Sequence, residues 1–327
     1  MEGNMASVKE RQAQTPALGL EISEEAWAYH DGDFVRLADA KVSLATHALN
    51  YGTGIFEGIR AYWNDEQEQL YVFRLREHFE RMERSCRMLK IALPGGPDEL
   101  AALVTDLLRL NQMRTDTYVR PLAYKAARSI KVALSALRDG FGMFTFPLGD
   151  YVPTTGIAAR TASWRRISDD ALPARGKITG AYVNTALAVE EAHEADAEEA
   201  IFLTRDGHVS EGGSANLFMV RDGALITPPV YDDILEGITR DSLMRLAHDE
   251  LGLSVLERSI DRTELYVADE LFFCGTGAQV APCVRVDGRP VADGAIGPVS
   301  RALATSYTAI ARGQDERYPE WRTAVYA

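Results

Sequence analysis

Lysine is scarce in this chain. Its 327 residues hold six (Lys9, Lys41, Lys90, Lys125, Lys131 and Lys177), so chemistry that needs an amine has few places to sit. Cysteine is scarcer still. Cys86, Cys274 and Cys283 form no C-x-x-C pair and leave at least one thiol unpaired, which argues against a disulfide framework and for a reducing compartment, the cytoplasm. No apolar run reaches ~18 residues, and the polar N-terminus lacks the charged-then-apolar order of a secretory signal, so no membrane span or export is expected. Positive charge is also in deficit. At a formal net charge of −13, with arginines interspersed among acids, the chain lacks the basic cluster that nucleic acid or an anionic membrane requires. The six histidines (His30, His47, His78, His193, His208, His248) show no metal-ligand spacing, and no metal site is expected. No Gly-x-Gly-x-x-Gly leads from a strand into a helix, which leaves a Rossmann site unsupported.

What is present is ordinary for a globular protein of two domains, with 46% hydrophobic and 25% charged residues. Residues 1–25 read as a flexible tail without periodicity. Residues 26–146 read as a first domain, with a hairpin turning at Asp31-Gly32, a strand over 70–75, and an amphipathic helix carrying Phe79, Met82, Cys86 and Leu89 at spacings of three and four. A second helix over 98–110 and strands over 117–123 and 142–146 follow. Pro and Gly gather in 147–156, the expected linker. Residues 157–315 form the second domain: a strand over 157–163, an Ala-rich helix over 183–193, hairpins turning at Asp206-Gly207 and Asp222-Gly223, and a helix over 237–251 closed by Gly252. A short helix over 263–268 and strands over 254–260, 270–274 and 284–286 complete it. Residues 316–327 are set apart as a tail. Strand runs mixed with helices and hairpins predict an α+β fold with antiparallel sheets rather than a regular βαβ repeat.

The chemistry lies in four segments. Lys177, in Lys177-Ile178-Thr179-Gly180-Ala181-Tyr182, precedes Glu211 of Ser210-Glu211-Gly212 by 34 positions. A lysine and a distant carboxylate suggest pyridoxal phosphate: the amine can condense with the cofactor aldehyde as a Schiff base, and the carboxylate can keep the pyridine nitrogen protonated. Gly237-Ile238-Thr239-Arg240 opens a helix whose first N–H groups lack intrahelical partners and so offer a phosphate seat, though most such starts are only helix starts. Gly275-Thr276-Gly277 ends an apolar strand in small residues, which allows an anion close approach or marks a plain turn. The fourth, His47 to Tyr62, sets Gly52, Gly54 and Gly58 among aromatics, with Arg60 as a fixed charge; read alone it is a glycine-rich packing corner.

Taken in order, Tyr51-Gly52-x-x-x-Phe56-Glu57-Gly58-Ile59-Arg60, Tyr118-Val119-Arg120-Pro121-Leu122, the lysine segment, Ser210-Glu211-Gly212, Asn216-Leu217-Phe218, Gly237 to Arg240 and Gly275-Thr276 resemble the branched-chain aminotransferases of pyridoxal-phosphate fold type IV. The resemblance spans about residues 28–295. It implies a smaller N-terminal α/β sandwich domain, a larger β-rich C-terminal domain and a homodimer whose pockets borrow residues from the partner chain. It implies Lys177 as the Schiff-base lysine and Cα proton carrier, Glu211 on the pyridinium nitrogen, Tyr182 on the cofactor O3′, and Arg60, Ile238, Thr239 and Thr276 on the phosphate. On the substrate side it implies Tyr118, Thr276 and Gly277 at the α-carboxylate, and Tyr51, Phe56, Gly58, Tyr151 and Tyr182 around the side chain. Arg120 would admit the distal carboxylate of glutamate or 2-oxoglutarate, unless it is a structural ion-pair residue. The implied reaction is a ping-pong transfer between leucine, isoleucine or valine and 2-oxoglutarate.

Three positions depart from the pattern. Lys131 stands where a glycine is expected in the interdomain loop, Ala215 where a glutamate often precedes Asn216, and Leu148 where an aromatic is frequent. They are drift at the pocket rim or a change of specificity; a charge in an apolar pocket would favour an acidic or polar substrate. Transaminases of D-amino acids or (R)-amines, and a lyase of the aminodeoxychorismate type, share the lysine, glutamate and phosphate seat and stand as alternatives.

Overall fold

The computed structural model describes residues 22–149 and 155–326. The fold is α+β in two domains, each built on one sheet. The first sheet takes β1 (Trp27–His30), β2 (Asp33–Arg36), β3 (Gly54–Phe56), β4 (Ile59–Asn64), β5 (Gln69–Phe73), β6 (Thr117–Lys125) and β7 (Asp139–Pro147). Asp31 and Gly32 both lie at positive φ, the backbone that a two-residue hairpin between twisted strands demands. The short helix α1 (His47–Tyr51) precedes β3; α2 (Leu75–Met88) and α3 (Pro97–Leu110) cover the sheet. Along α2 the buried positions Leu75, His78, Phe79, Arg81, Met82, Ser85 and Cys86 follow the helical period. Its inner face thus includes three polar side chains, His78, Arg81 and Ser85. Phe79 and Met82 join Ile55, Ile59, Val72 and Leu107 in a core, each contributing about 2 kcal/mol by burial.

The second sheet runs β10 (Val209–Gly212), β9 (Glu199–Leu203), β8 (Ile157–Arg165), β15 (Gln279–Val286), β14 (Glu270–Gly275), β11 (Asn216–Arg221), β12 (Ala224–Thr227), β13 (Ser254–Glu257), with β16 (Arg289–Pro290) beside β15. The expectation of antiparallel sheets needs correction here. β8 pairs parallel with β9 and with β15, and β12 pairs parallel with β13. Parallel neighbours cannot be joined by a tight turn and need a crossover, here through α4 (Tyr182–His193) and α5 (Ile238–Asp249). Both crossovers carry a segment singled out above: the lysine in the first, Gly237-Ile238-Thr239 in the second.

Residues 316–326 are not a tail. A 3₁₀ turn at Pro319–Trp321 leads into β17 (Arg322–Ala324), which pairs with β5 at the edge of the first sheet. Burial explains it: Trp321 and Val325 sink into the cores and leave the strand between them on the open edge. A helix absent from the sequence reading, α6 (Pro298–Ala311), packs with α5 and with Tyr62, Phe73 and Trp321 in a core shared by both sheets.

Candidate active site

The lysine segment docks on the glycine-rich one by main chain. Phe56 N–H donates to the Lys177 carbonyl at 3.1 Å, Gly180 N–H to the Gly52 carbonyl at 3.2 Å, and the Thr179 hydroxyl to the same Gly52 carbonyl at 2.9 Å. Gly52 sits at φ +66°, and a Cβ there would come within 2.7 Å of the Gly180 Cα, so the approach requires glycine. His47 braces the turn through Thr53 Oγ1 at 2.7 Å. Half-buried Lys177 is thereby aimed into a cavity of about 610 Å³ between the two sheets. Its Nζ donates to the Tyr182 hydroxyl at 3.0 Å and lies 5.0 Å from the Phe56 ring centroid. Tyr182 meets Phe56 edge to face at 4.7 Å.

Glu211 faces the same cavity from β10. Arg166 Nη2 lies 2.8 Å from its Oε1, while Oε2 accepts from Asn216 Nδ2 and the Leu235 N–H, both at 3.0 Å. Burial pushes this carboxyl above its ordinary range, opposed first by Arg166, then by the Leu235 N–H, Lys177 and Arg240. A carboxylate has about four lone-pair sites. Three are filled, all by donors, which suits an anion with one place left for a further donor.

Helix α5 opens into the cavity at Gly237, Ile238 and Thr239, and the Gly275-Thr276-Gly277 segment lines the same space. The guanidinium beside them is Arg81, which sequence reasoning missed. Its Nη1 donates to the Glu236 carbonyl at 3.0 Å, and its Nε and Nη2 grip Glu57 at 2.7 Å each. His78 Nδ1 adds a 2.8 Å contact to the same carboxylate. Glu57 is fully buried, which alone would raise its pKa, yet Arg81 and His78 hold it well below the usual carboxylate range. Burial lowers the pKa of His78, against the pull of Glu57. The period of α2 offered the one available signal, an arginine on the apolar face.

Arg60 lies elsewhere. It is buried behind the cavity wall, donating to the carbonyls of Gly277 (3.2 Å), Leu148 (3.2 Å) and Gly149 (2.9 Å), with only Nε unpaired. It clasps the segment leaving β7 to the loop after β14. On the remaining wall, Arg120 Nη2 donates to the Tyr118 hydroxyl at 3.1 Å, and its guanidinium lies 4.7 Å from the Phe56 ring centroid. A side chain at Gly58 would overlap that tyrosine hydroxyl. Leu148 and Ala215 line the cavity, whereas Lys131 is exposed and outside it. Tyr51 is outside it too, 40% exposed, with its hydroxyl on the Ile130 carbonyl at 2.8 Å. Tyr151 falls outside the described residues. No cluster of metal-ligating side chains occurs among the described residues.

The amino-transferase class IV family model matches residues 54–286. The chain belongs to the class IV aminotransferases. A probable branched-chain-amino-acid aminotransferase of Aquifex aeolicus (strain VF5) is 42% identical over 301 residues, covering 92% of this aminotransferase and 97% of that one. The branched-chain aminotransferase of Thermoproteus uzoniensis, solved with norvaline, superposes with TM-score 0.89 at 42% identity, over 92% of this chain and 99% of that one. The branched-chain amino acid aminotransferase of Thermobaculum terrenum, solved in its PLP form, superposes with TM-score 0.89 at 36% identity, over 93% of this chain and all of that one. These neighbours make the fold type IV architecture and the pyridoxal 5'-phosphate dependence of this aminotransferase plain. Its own residues fit that cofactor: a lysine amine with one partner, a buried carboxylate with one lone pair to spare, and a helix N-terminus beside a guanidinium converge on one cavity.

Proposed function

We propose that this aminotransferase exchanges the amino group of leucine, isoleucine or valine with 2-oxoglutarate in a ping-pong cycle. The observation that carries the reading is that Lys177, Glu211 and the Ile238–Thr239 and Thr276 seats share one cavity with Arg120. When bound, pyridoxal phosphate supplies a sink for the electrons of the Cα–H bond. Lys177 anchors it and then carries the Cα proton, with Tyr182 orienting the amine at 3.0 Å and hydrogen-bonding the ring hydroxyl. Glu211 holds the ring nitrogen protonated. The phosphate falls to the N–H groups of Ile238 and Thr239, to Thr276, and to Arg81 in place of Arg60. Tyr118 and the N–H groups of Thr276 and Gly277 take the α-carboxylate. Phe56 and the gap at Gly58 shape the side-chain pocket. Arg120 receives the distal carboxylate of glutamate or 2-oxoglutarate; it has no carboxylate of its own among the described residues, which speaks against a purely structural ion pair.

The working unit in this reading is a homodimer. Leu44 and Ile130 are 87% and 85% exposed, with the Tyr51 hydroxyl on the Ile130 carbonyl, an apolar surface that a second copy would bury. The domain division falls within 147–156. Three free, buried thiols accord with the cytoplasm. A panel of L- and D-amino donors against 2-oxoglutarate tests the substrate reading. Branched-chain L-amino acids should bleach the visible band of the bound cofactor and yield glutamate; turnover confined to D-alanine or an (R)-amine overturns it.

A further inference from the structure

The Glu211 carboxylate is buried, which pushes its pKa up and disfavours the charged form. The charged groups that face it from the surrounding elements are Arg166, Lys177, Arg240 and Glu199. Glu199 repels its charge. Arg240 is committed elsewhere, to Glu257 at 2.7 Å and the Pro228 carbonyl at 2.9 Å. Lys177 is turned to Tyr182. Arg166 alone among the described residues makes a direct ion pair with Glu211, at 2.8 Å. Its geometry is fixed from several sides: Nε donates to the Asp233 carbonyl at 3.2 Å, the backbone N–H to the Leu203 carbonyl at 2.9 Å, and the guanidinium lies over the Phe202 ring. Like Arg81, it follows from no motif in the sequence.

We propose that Arg166 is a positioning residue that keeps Glu211 ionised toward the cofactor, so that the proton shared by Glu211 and the ring nitrogen resides on the ring. The inference rests on the reading of Glu211 as the ring-nitrogen partner. The physical basis is that two arrangements of one proton compete: carboxylate with pyridinium, and carboxylic acid with neutral pyridine. In a low-dielectric site the second avoids separated charge. A guanidinium in direct contact with the carboxylate at 2.8 Å, with Glu211 between it and the ring nitrogen that Glu211 would hold, stabilises the first by more than it repels the ring. The electron sink is strong only in the first.

The test is the nitrogen chemical shift of 15N-labelled pyridoxal phosphate bound to the wild type, Arg166→Met, Arg166→Gln, Arg166→Lys and Glu211→Gln. The shift separates a protonated from a neutral ring without reference to turnover. Wild type and Arg166→Lys should be protonated; Arg166→Met, Arg166→Gln and Glu211→Gln should be neutral. In the two charge-removed arginine variants kcat should fall by about 10- to 100-fold, as for other loss of a group that tunes a reacting centre through a neighbour, with KM for leucine within about threefold of wild type. Arg166→Gln retains a donor for the Asp233 carbonyl and serves where the methionine variant does not fold. A protonated ring in Arg166→Met or Arg166→Gln, with a neutral ring in Glu211→Gln, overturns this proposal alone. A protonated ring in Glu211→Gln overturns it together with the assignment of Glu211.

Discussion

Arg81 holds Glu57 in two 2.7 Å hydrogen bonds and gives its remaining Nη to the Glu236 carbonyl, one residue before the helix that opens at Gly237. The glycine-rich segment, α2 and the start of α5 are thus tied through one guanidinium. Replacing Arg81 by Met leaves Glu57 buried without its main cation, which costs roughly 3–5 kcal/mol, and removes a positive charge from the cavity where the phosphate is proposed to sit. We expect weaker cofactor retention on dialysis and a lower melting temperature together. Unchanged retention would remove Arg81 from the phosphate site.

The same pair sets an acid limit. Because the folded-state pKa of Glu57 lies below its ordinary value of 4.5, its contribution is complete above that value and fades as the pH falls toward the depressed one. In Glu57→Gln the stability should be lower at neutral pH and flatter between about pH 5 and pH 3 than in the wild type, measured by denaturant midpoints across that window. Parallel profiles would refute the coupling.

Lys177→Ala should bind cofactor only noncovalently, leave no adduct after borohydride treatment and lose turnover, by a factor of about 10⁴ or more for a group that both anchors and carries the proton. Activity near the wild-type level would assign the chemistry to another amine. Tyr182→Phe, which deprives Nζ of its 3.0 Å partner, should lose about tenfold in kcat and keep the adduct.

Arg120→Gln should separate the two half-reactions. We expect KM for 2-oxoglutarate to rise more than about tenfold, the worth of a lost charge-assisted bond, while the single-turnover rate with leucine changes by less than about threefold. Equal losses on both would make Arg120 a brace for Tyr118 and Phe56.

At Gly58 an added methyl collides with the Tyr118 hydroxyl. Gly58→Ala should therefore displace Tyr118 and with it the donor set of Arg120, raising KM for both amino donor and acceptor with little change in melting temperature. A variant with normal KM would show that Tyr118 is free to move.

The residues that declare themselves in sequence are those whose side-chain chemistry is rare or whose neighbours are distinctive. Lys177 is one amine of six, Glu211 lies between serine and glycine, and Gly52 is fixed by a backbone contact no other residue permits. The hairpin at Asp31-Gly32 and the amphipathic period of α2 were legible because each is a local rule. Arg81 and Arg166 were not. Their partners, Glu57 and Glu211, lie 24 and 45 positions away; Arg81 shows only its place on the apolar face of α2, and nothing near Arg166 distinguishes it from a solvated one. Arg60 misled for the converse reason: a motif tells that an arginine is wanted, and only the fold tells that it faces main-chain carbonyls. The parallel pairings of β8 and β12 escaped because strand direction is set by long crossovers rather than by strand composition.

The strand at Arg322–Ala324 lies beside Gln69–Phe73, a partner far earlier in the sequence. Until Arg322–Ala324 is in place, that edge of the first sheet stays uncovered, flanked by the hydrophobic face that Trp321 and Val325 close. Pairing between segments so distant in sequence is slow to form, and an open edge can recruit strands of other chains in the meantime.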